Sequence, residues 1–403
     1  MKSNTWVITG TGVVSAIGVN ARAHYEALTR GDSCLQPMEE DSAGATAERV
    51  VSQEPPVSVK LPPNTTPGTQ RLIAAAEMAA KEAQLLERVA AEEVGVVMGT
   101  CYGNLRSVAA FQRDVQREGP RFVMPTHFPS TVISTASGQV AIPWRFTGIN
   151  TTVSVGRASG LEVLATAAEL LGTDQAPAIL CCGYEELSDE LIAAYRQTGC
   201  VAVDRQASIP FHPESQGLML GEAAAVLVLE PFSQQAPRPL AEFAGYGSAF
   251  VSKKDSAATK VAAQIHAMRE ALADADVSPE EISLVLASAN GQSQEDHIEA
   301  SALAEVFGPG LARLPVMALK SFSGECFAAT GLVQVALAAL LLSEECVPLQ
   351  YLALEKNGGG FVARPKHSMI EEQPRAILVN AFDVVGVQSS VVLKRSPTVV
   401  EEE

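Results

Sequence analysis

Three things are scarce in this chain of 403 residues, and each scarcity excludes a class of protein. Basic side chains are the first: 29 Lys and Arg against 46 Asp and Glu leave a formal net charge of −17. Such a chain repels phosphate backbones and anionic lipid, so no nucleic acid and no membrane is expected as a partner. The nearest approach to a basic run is Lys253-Lys254. Long apolar runs are the second scarcity. None reaches membrane-spanning length without interruption, and the N-terminus lacks the basic and apolar regions of a signal peptide. Ordered cysteine spacing is the third, because the seven cysteines form an odd set without metal-ligand or disulfide-framework spacing. A reducing compartment follows, with the cytoplasm as the expected location and no metal or cofactor expected.

What is present is enough apolar material, 47% of the residues, for a large α/β core. Strand-like runs at 6–8, 94–98, 151–155, 178–182 and 223–229 alternate with helical patterns such as 70–86 and 159–171. The scheme then repeats: a strand at 240–246, a helix at 257–275, a strand at 283–288, helices at 296–307 and 331–343, and closing strands near 375–379 and 388–394. Alternation of this kind predicts helices packed on largely parallel sheets. Gln234-Gln235-Ala236-Pro237-Arg238-Pro239 has linker composition, which divides the chain into two similar halves, 1–235 and 236–403. The stretch 38–68 reads as an exposed excursion and 401–403 as a solvated end. Gly10-Thr11-Gly12 opens like a dinucleotide fingerprint, but the third glycine is replaced and no acidic residue arrives at the right distance. It reads as a structural turn.

Several blocks carry a resemblance. The opening Trp6-Val7-Ile8-Thr9-Gly10-Thr11-Gly12-Val13-Val14-Ser15-Ala16-Ile17-Gly18 is similar to the first strand and glycine loop of the β-ketoacyl synthases. Val94-Gly95-Val96-Val97-Met98-Gly99-Thr100 is similar too, as are Pro210-Phe211-His212, Gly217-Leu218-Met219-Leu220-Gly221-Glu222-Ala223 and Leu319-Lys320-Ser321-Phe322-Ser323-Gly324. The blocks keep the family's order over nearly the whole chain. The resemblance implies an α/β protein of the thiolase fold, five-layered αβαβα, built from two similar halves.

It also shows what has been lost. In active members a Cys lies in a small-residue turn leading into a buried helix, where free N–H groups and the helix dipole stabilise its thiolate. That turn here is Gly156-Arg157-Ala158-Ser159-Gly160, and a guanidinium that stays protonated is no nucleophile. Of the family's two catalytic histidines, the first matches Asn290 and the second Glu325. Asn still donates to an oxyanion, whereas a carboxylate beside one opposes it. None of His24, His127, His212, His266, His297 and His367 falls in either slot. Cys101, Cys181, Cys182, Cys200 and Cys326 all lie outside the nucleophile's turn and read as ordinary core or surface residues. Asp296 and Glu299, at a helix start, read as structural carboxylates. No catalytic residue is therefore expected.

Two further departures bear on the site. The family's mobile Gly-Phe-Gly-Gly gate corresponds to Phe382-Asp383-Val384-Val385-Gly386, where Asp and Val resist the backbone changes that glycine permits. A fixed wall is expected. Lys320 loses its usual counter-ion, because the matching Glu is Gln334 here. Glu325 is placed to take over, so Arg157 is expected to fork onto Glu325 in a buried pair that also serves Lys320, with Asn290 completing the hydrogen bonds.

Such a scaffold resembles the chain-length factor of type II polyketide synthases, a dead subunit that heterodimerises with an active ketosynthase and shapes its acyl tunnel. The resemblance implies that acyl carrier protein docks mainly on the partner, in keeping with the acidic charge of this chain. The expected partner-facing tunnel gate is Thr126, His127, Phe128 and Thr131, with Phe111. The best-known factors place Gln where this chain has Arg157, which leaves polyene-forming and anthraquinone-forming systems open beside the aromatic ones. Two other functions stay open: a homodimeric pseudo-ketosynthase scaffold, and a remodelled acyl-binding enzyme that uses Arg157 to hold an anion.

Overall fold

The computed structural model describes residues 5–30, 36–37, 48–49, 55–203, 207–233, 239–343, 347–357, 360–370, 373–383 and 385–397. The joint expected near residue 235, the tail 401–403 and most of 38–54 lie outside these residues.

The chain opens with β1 (Trp6–Ser15) and α1 (Ala21–Arg30), and a two-stranded ribbon, β2 (Gln36–Pro37) with β3 (Glu48–Arg49), precedes α2 (Pro67–Glu82). Next come α3 (Leu85–Arg88), β4 (Gly95–Gly99), α4 (Leu105–Glu118), α5 (Thr135–Trp144), β5 (Asn150–Val153), α6 (Ser159–Gly172), β6 (Ile179–Glu185), α7 (Asp189–Thr198) and β7 (Ala223–Pro231). The rest comprises β8 (Ala241–Val251), α8 (Ala257–Asp274), β9 (Ile282–Leu286), α9 (Ser293–Phe307), β10 (Val316–Met317) and the one-turn α10 (Lys320–Ser323). It ends with α11 (Ala328–Ser343), β11 (Val347–Asn357), β12 (Gly360–Ile370), β13 (Ala376–Phe382) and β14 (Gly386–Lys394).

Twelve strands form one hydrogen-bonded run in the order β12-β11-β10-β9-β13-β14-β8-β1-β7-β6-β4-β5. The two half-sheets join where Trp6, Val7 and Ile8 pair with Phe243, Glu242 and Ala241. The expectation of largely parallel sheets needs correction. Only β5-β4-β6 and β10-β9-β13 are parallel, while β6-β7-β1 and β13-β14-β8 are antiparallel. A turn of a few residues joins β13 to β14, and so short a link permits only antiparallel neighbours.

Continuous apolar runs become strands here because both faces are covered. Along β7, Ala223, Ala225, Leu227 and Leu229 enter one core, while Ala224, Val226 and Val228 enter another. Along β13, Ile377, Val379 and Ala381 share the first of these cores, and Leu378 and Phe382 join a third. Strand alternation thus sends neighbouring residues to opposite layers. α6 and α11 lie between the half-sheets, with α2 on one outer face and α8 with α9 on the other. Five layers result, as the thiolase fold requires. Sandwiched between sheets, α11 is apolar all round rather than on one stripe.

Gly10 and Gly12 are not in a turn. They lie inside β1 next to a bulge, and α2 packs so close that a Cβ on Gly12 would meet the Ala75 carbonyl oxygen at 1.9 Å. An equally close approach sets the site, since a Cβ on Gly160 would come within 2.3 Å of the Ala328 carbonyl oxygen at the start of α11. Backbone cannot yield there as a flexible side-chain tip could. Gly160→Ala is therefore expected to lower unfolding free energy by about 1–3 kcal/mol, the cost of overpacking a dense core, read as a lower denaturant midpoint.

Candidate functional site

The two central helices aim their N-termini at one point. Arg157 occupies the single turn before α6, where Gly156 takes φ +80°, a left-handed conformation that suits glycine. The Ser159 hydroxyl holds that turn by accepting the Val155 N–H at 2.9 Å and donating to the Gly156 carbonyl at 2.6 Å. Glu325 stands in the corresponding bend before α11. Its N–H donates to the Met219 carbonyl at 2.7 Å and its carbonyl accepts the Gly221 N–H at 3.0 Å, so the Gly217–Ala223 block that carried the resemblance serves to fix it.

All four residues expected at the degenerate centre are buried and meet there: Arg157, Asn290, Lys320 and Glu325. One carboxylate oxygen, Oε2 of Glu325, receives Lys320 Nζ at 2.9 Å and Asn290 Nδ2 at 3.0 Å. The other, Oε1, accepts the Phe327 N–H at 3.0 Å, where the start of α11 favours negative charge. These bonds leave Arg157 at the margin. Its Nε is 3.7 Å from Glu325 Oε2, an ion pair without hydrogen-bond length, while its Nη1 donates to Glu295 Oε2 at 2.7 Å. The expected fork onto Glu325 is thus split between two carboxylates, because Lys320, Asn290 and Phe327 already fill the Glu325 acceptors. Two cations face two anions.

Charge holds this cluster ionised. Burial pushes the Glu325 carboxyl upward, but Lys320 and then Arg157 outweigh it and bring the pKa from 4.5 to about 2. Burial pulls the Arg157 guanidinium down, and Glu295 and Glu325 more than restore it, to well above its ordinary value. Gln334 does not reach this centre through its amide nitrogen, which donates instead to the Ala287 carbonyl at 2.7 Å.

The stretch expected to be a former gate is held at Asp383. The Asp383 N–H donates to the Val387 carbonyl at 3.2 Å, the Gln388 side chain donates to the Asp383 carbonyl at 2.6 Å, and Asp383 Oδ2 accepts the Arg157 backbone N–H at 2.8 Å. Phe382 is buried in the outer core, Val385 is exposed, Gly386 takes φ +141°, and Val384 lies outside the described residues. The cleft beside Glu295 and Asp383 has a free volume of about 30 Å³. Space of that size holds a few waters.

Burial also acts on two cysteines near the cluster. Burial raises the Cys101 thiol, with help from the Glu185 and Asp383 charges, and burial likewise raises Cys326. Beside the cluster, Phe327 packs against Tyr102 and Tyr195 at centroid distances of 5.1 and 5.3 Å, and the two tyrosine hydroxyls are 2.7 Å apart. The expected gate residues sit elsewhere: Thr126, His127, Phe128 and Thr131 lie on a surface 3-10 segment, Pro125–Thr131, and Phe111 on α4 meets Phe128 edge to face at 5.9 Å. Asp296 accepts the N–H groups of Phe211, Asn290 and Gly291, and Glu299 those of Ser288 and the Asn380 amide, so both act as braces. Sequence reasoning missed Glu295 and the aromatic trio. An acidic residue next to Asp296 in the first turn of a helix, five residues after Asn290, was the available signal for Glu295.

With this geometry established, likeness to known proteins narrows the identity. Residues 4–235 match the model of the β-ketoacyl synthase N-terminal domain, and residues 240–351 match that of its C-terminal domain. The chain belongs to the β-ketoacyl synthase family. Among curated relatives, the putative polyketide β-ketoacyl synthase 2 of Streptomyces coelicolor is 29% identical over 96% of this chain and 94% of its own length. The 3-oxoacyl-[acyl-carrier-protein] synthase 2 of Coxiella burnetii is 24% identical over 98% and 99%. Similar folds include the AntDE:AntF complex of a type II polyketide synthase carrier protein with its ketosynthase (TM-score 0.85, 22% identity, covering 98% of this chain and 100% of that one). The ishigamide ketosynthase/chain length factor is another (TM-score 0.83, 23%, covering 98% and 100%). So is the ketosynthase ApeO in complex with its chain length factor ApeC from Xenorhabdus doucetiae (TM-score 0.78, 19%, covering 98% of each).

Glu325→Gln leaves Lys320 and Arg157 buried without a shared anion, and is expected to cost roughly 3–5 kcal/mol at pH 7 by denaturant unfolding. Folding lowers this carboxyl's pKa from 4.5 to about 2, so its stabilisation is complete above about pH 4.5 and drains away as pH falls towards 2. The gap between wild type and variant should accordingly shrink from pH 7 to pH 3. Subtracting one chain from the other cancels Glu185 and Glu299, whose carboxyls burial raises to about 7.

Proposed function

We propose that this chain is a non-catalytic chain-length factor, pairing with an active ketosynthase in a type II polyketide synthase and shaping the acyl tunnel of that partner. The observation that carries this reading is Arg157. A fixed, ion-paired guanidinium stands where a thiolate is needed, and the Asn290 amide that should polarise a carbonyl points at Glu325 instead. Neither acylation nor decarboxylation has its groups. The Tyr102, Tyr195 and Phe327 rings pack together beside the cluster.

A subunit without chemistry must act through contact, and one face supports that. α4 is amphipathic yet buries none of its residues fully. The segment after it exposes Phe122 by 75%, Met124 by 59% and Phe128 by 58%, with Val132 and Ile133 also open. An apolar patch of this kind on a soluble fold marks a partner surface. Among the described strands β5 lies at the end of the sheet order, bonded on one side to β4, and offers its other edge for pairing. A net charge of −17 disfavours direct docking of an acidic carrier protein, which then falls to the ketosynthase.

Co-expression with a candidate ketosynthase from the same gene neighbourhood is expected to give a stoichiometric heterodimer; a stable homodimer that ignores the ketosynthase would instead support a pseudo-ketosynthase scaffold. The isolated chain should release no CO2 from malonyl carrier protein, and Arg157→Cys alone should not restore it, because Asn290 and Glu325 remain. Within the reconstituted pair, Phe128→Ala should lengthen the product and Thr126→Phe should shorten it. Unchanged product length in both would place the gate elsewhere.

A further inference from the structure

None of the residues of α4 is fully buried, so apolar packing holds this helix weakly to the rest of the chain. Polar ties act at its start instead. Asn104, buried just before the helix, donates through Nδ2 to the Ser130 carbonyl at 3.0 Å and accepts the Tyr184 hydroxyl, which joins the head of α4 to the Pro125–Thr131 segment and to β6. A single anchor at one end leaves a helix free to swing. Arg106, two residues on, supplies a second anchor: its Nη2 donates to the Leu187 carbonyl at 2.7 Å, and its Nε lies 2.9 Å from Glu186 Oε1.

Glutamate is rarely buried unless it is paired, and Glu186 is buried. Its side chain lies against the start of α2, close enough that a Cβ on Gly68 would meet Glu186 Oε2 at 2.8 Å, and a helix start favours negative charge. Among the described residues neither Glu186 oxygen accepts a hydrogen bond, and Arg106 is the cation paired with it. A carboxylate so placed is costly without its counter-ion, so the pair resists opening. Farther along α4, Arg113 pairs with Glu190 on α7, but both side chains reach solvent and pairs of that kind hold little.

α4 carries Phe111, whose ring meets Phe128 edge to face at 5.9 Å. The pose of these two rings follows the angle of α4, and that angle follows Arg106. We infer that Arg106 is a positioning residue: by bridging Glu186 and the Leu187 carbonyl it fixes α4, and with it the Phe111–Phe128 contact, so that the synthase pair stops at one chain length. The effect on chain length rests on the function proposed above, whereas the fixing of α4 stands without it.

Hydrogen exchange on the full isolated chain reads the fixing. Arg106→Gln should speed exchange of the 108–118 amides roughly tenfold or more, the range of one charge-assisted hydrogen bond, and should leave β6 and α11 unchanged. Arg106→Gln combined with Glu186→Gln removes both charges together; it should recover the denaturant midpoint lost to an unpaired carboxylate and yet keep the fast exchange. The reconstituted pair reads the consequence: both variants should still form the heterodimer, and should spread product over neighbouring lengths where wild type gives one. Amides of α4 protected as in wild type would overturn the inference. So would fast exchange with an unspread product, in a pair whose product length does respond to Phe128→Ala. A product that ignores Phe128→Ala as well would count against the chain-length reading, while fast exchange would still uphold Arg106 as the residue that fixes α4. Loss of the native fold in both variants would make Arg106 a plain structural tie and overturn the inference too.

Discussion

The rest of this centre depends on one buried carboxylate. Glu325 stands at the start of α11 with no accessible surface, and its two oxygens organise everything around it. Lys320 and Asn290 share one oxygen, the N–H of Phe327 takes the other, and Arg157 is attracted without being fully bonded. A lone carboxylate in that position would be costly to bury. Two cations and a helix N-terminus offset the cost and in turn depend on it. The same constraint sends the guanidinium out to Glu295, which ties the α6 turn to the first turn of α9.

The scaffold around this centre is held by packing. α6 and α11 still pack backbone against backbone through Gly160, and the sheets still send alternate side chains into separate cores. Those features rest on close packing, and the charges at the centre are buried in mutual pairs. The centre itself is filled with mutually paired charge, and rings in edge-on and tilted contact pack beside it. The face around Phe122, Met124 and Phe128 exposes apolar side chains, as the proposed contact role requires.

Much of the fold was legible because double-faced burial writes itself as continuous apolar runs, as in Ile179–Glu185 and Ala223–Pro231. Strand direction was not legible, since an apolar run carries no sign of the polarity of its neighbour; hence the antiparallel pairs at β7 and β14. Gly10 and Gly12 were misread because a glycine needed for helix–strand approach looks, in sequence, like one needed for a turn. At the site, the positions of Arg157, Asn290, Lys320 and Glu325 could be read from flanking motifs. The choice of Glu295 over Glu325 as the main Arg157 partner could not, because it depends on how many donors already fill the Glu325 oxygens. Asp383 was visible as a stiff residue in the stretch expected to be a former gate, but its aim at the Arg157 amide depends on bonds to Val387 and Gln388.

The central claim is that this subunit never carries an acyl group. Intact mass of both subunits, measured after the reconstituted pair has been incubated with an acyl-loaded carrier protein, tests it directly. The account predicts an acyl mass increment on the ketosynthase alone. A stoichiometric acyl adduct on this chain would contradict it.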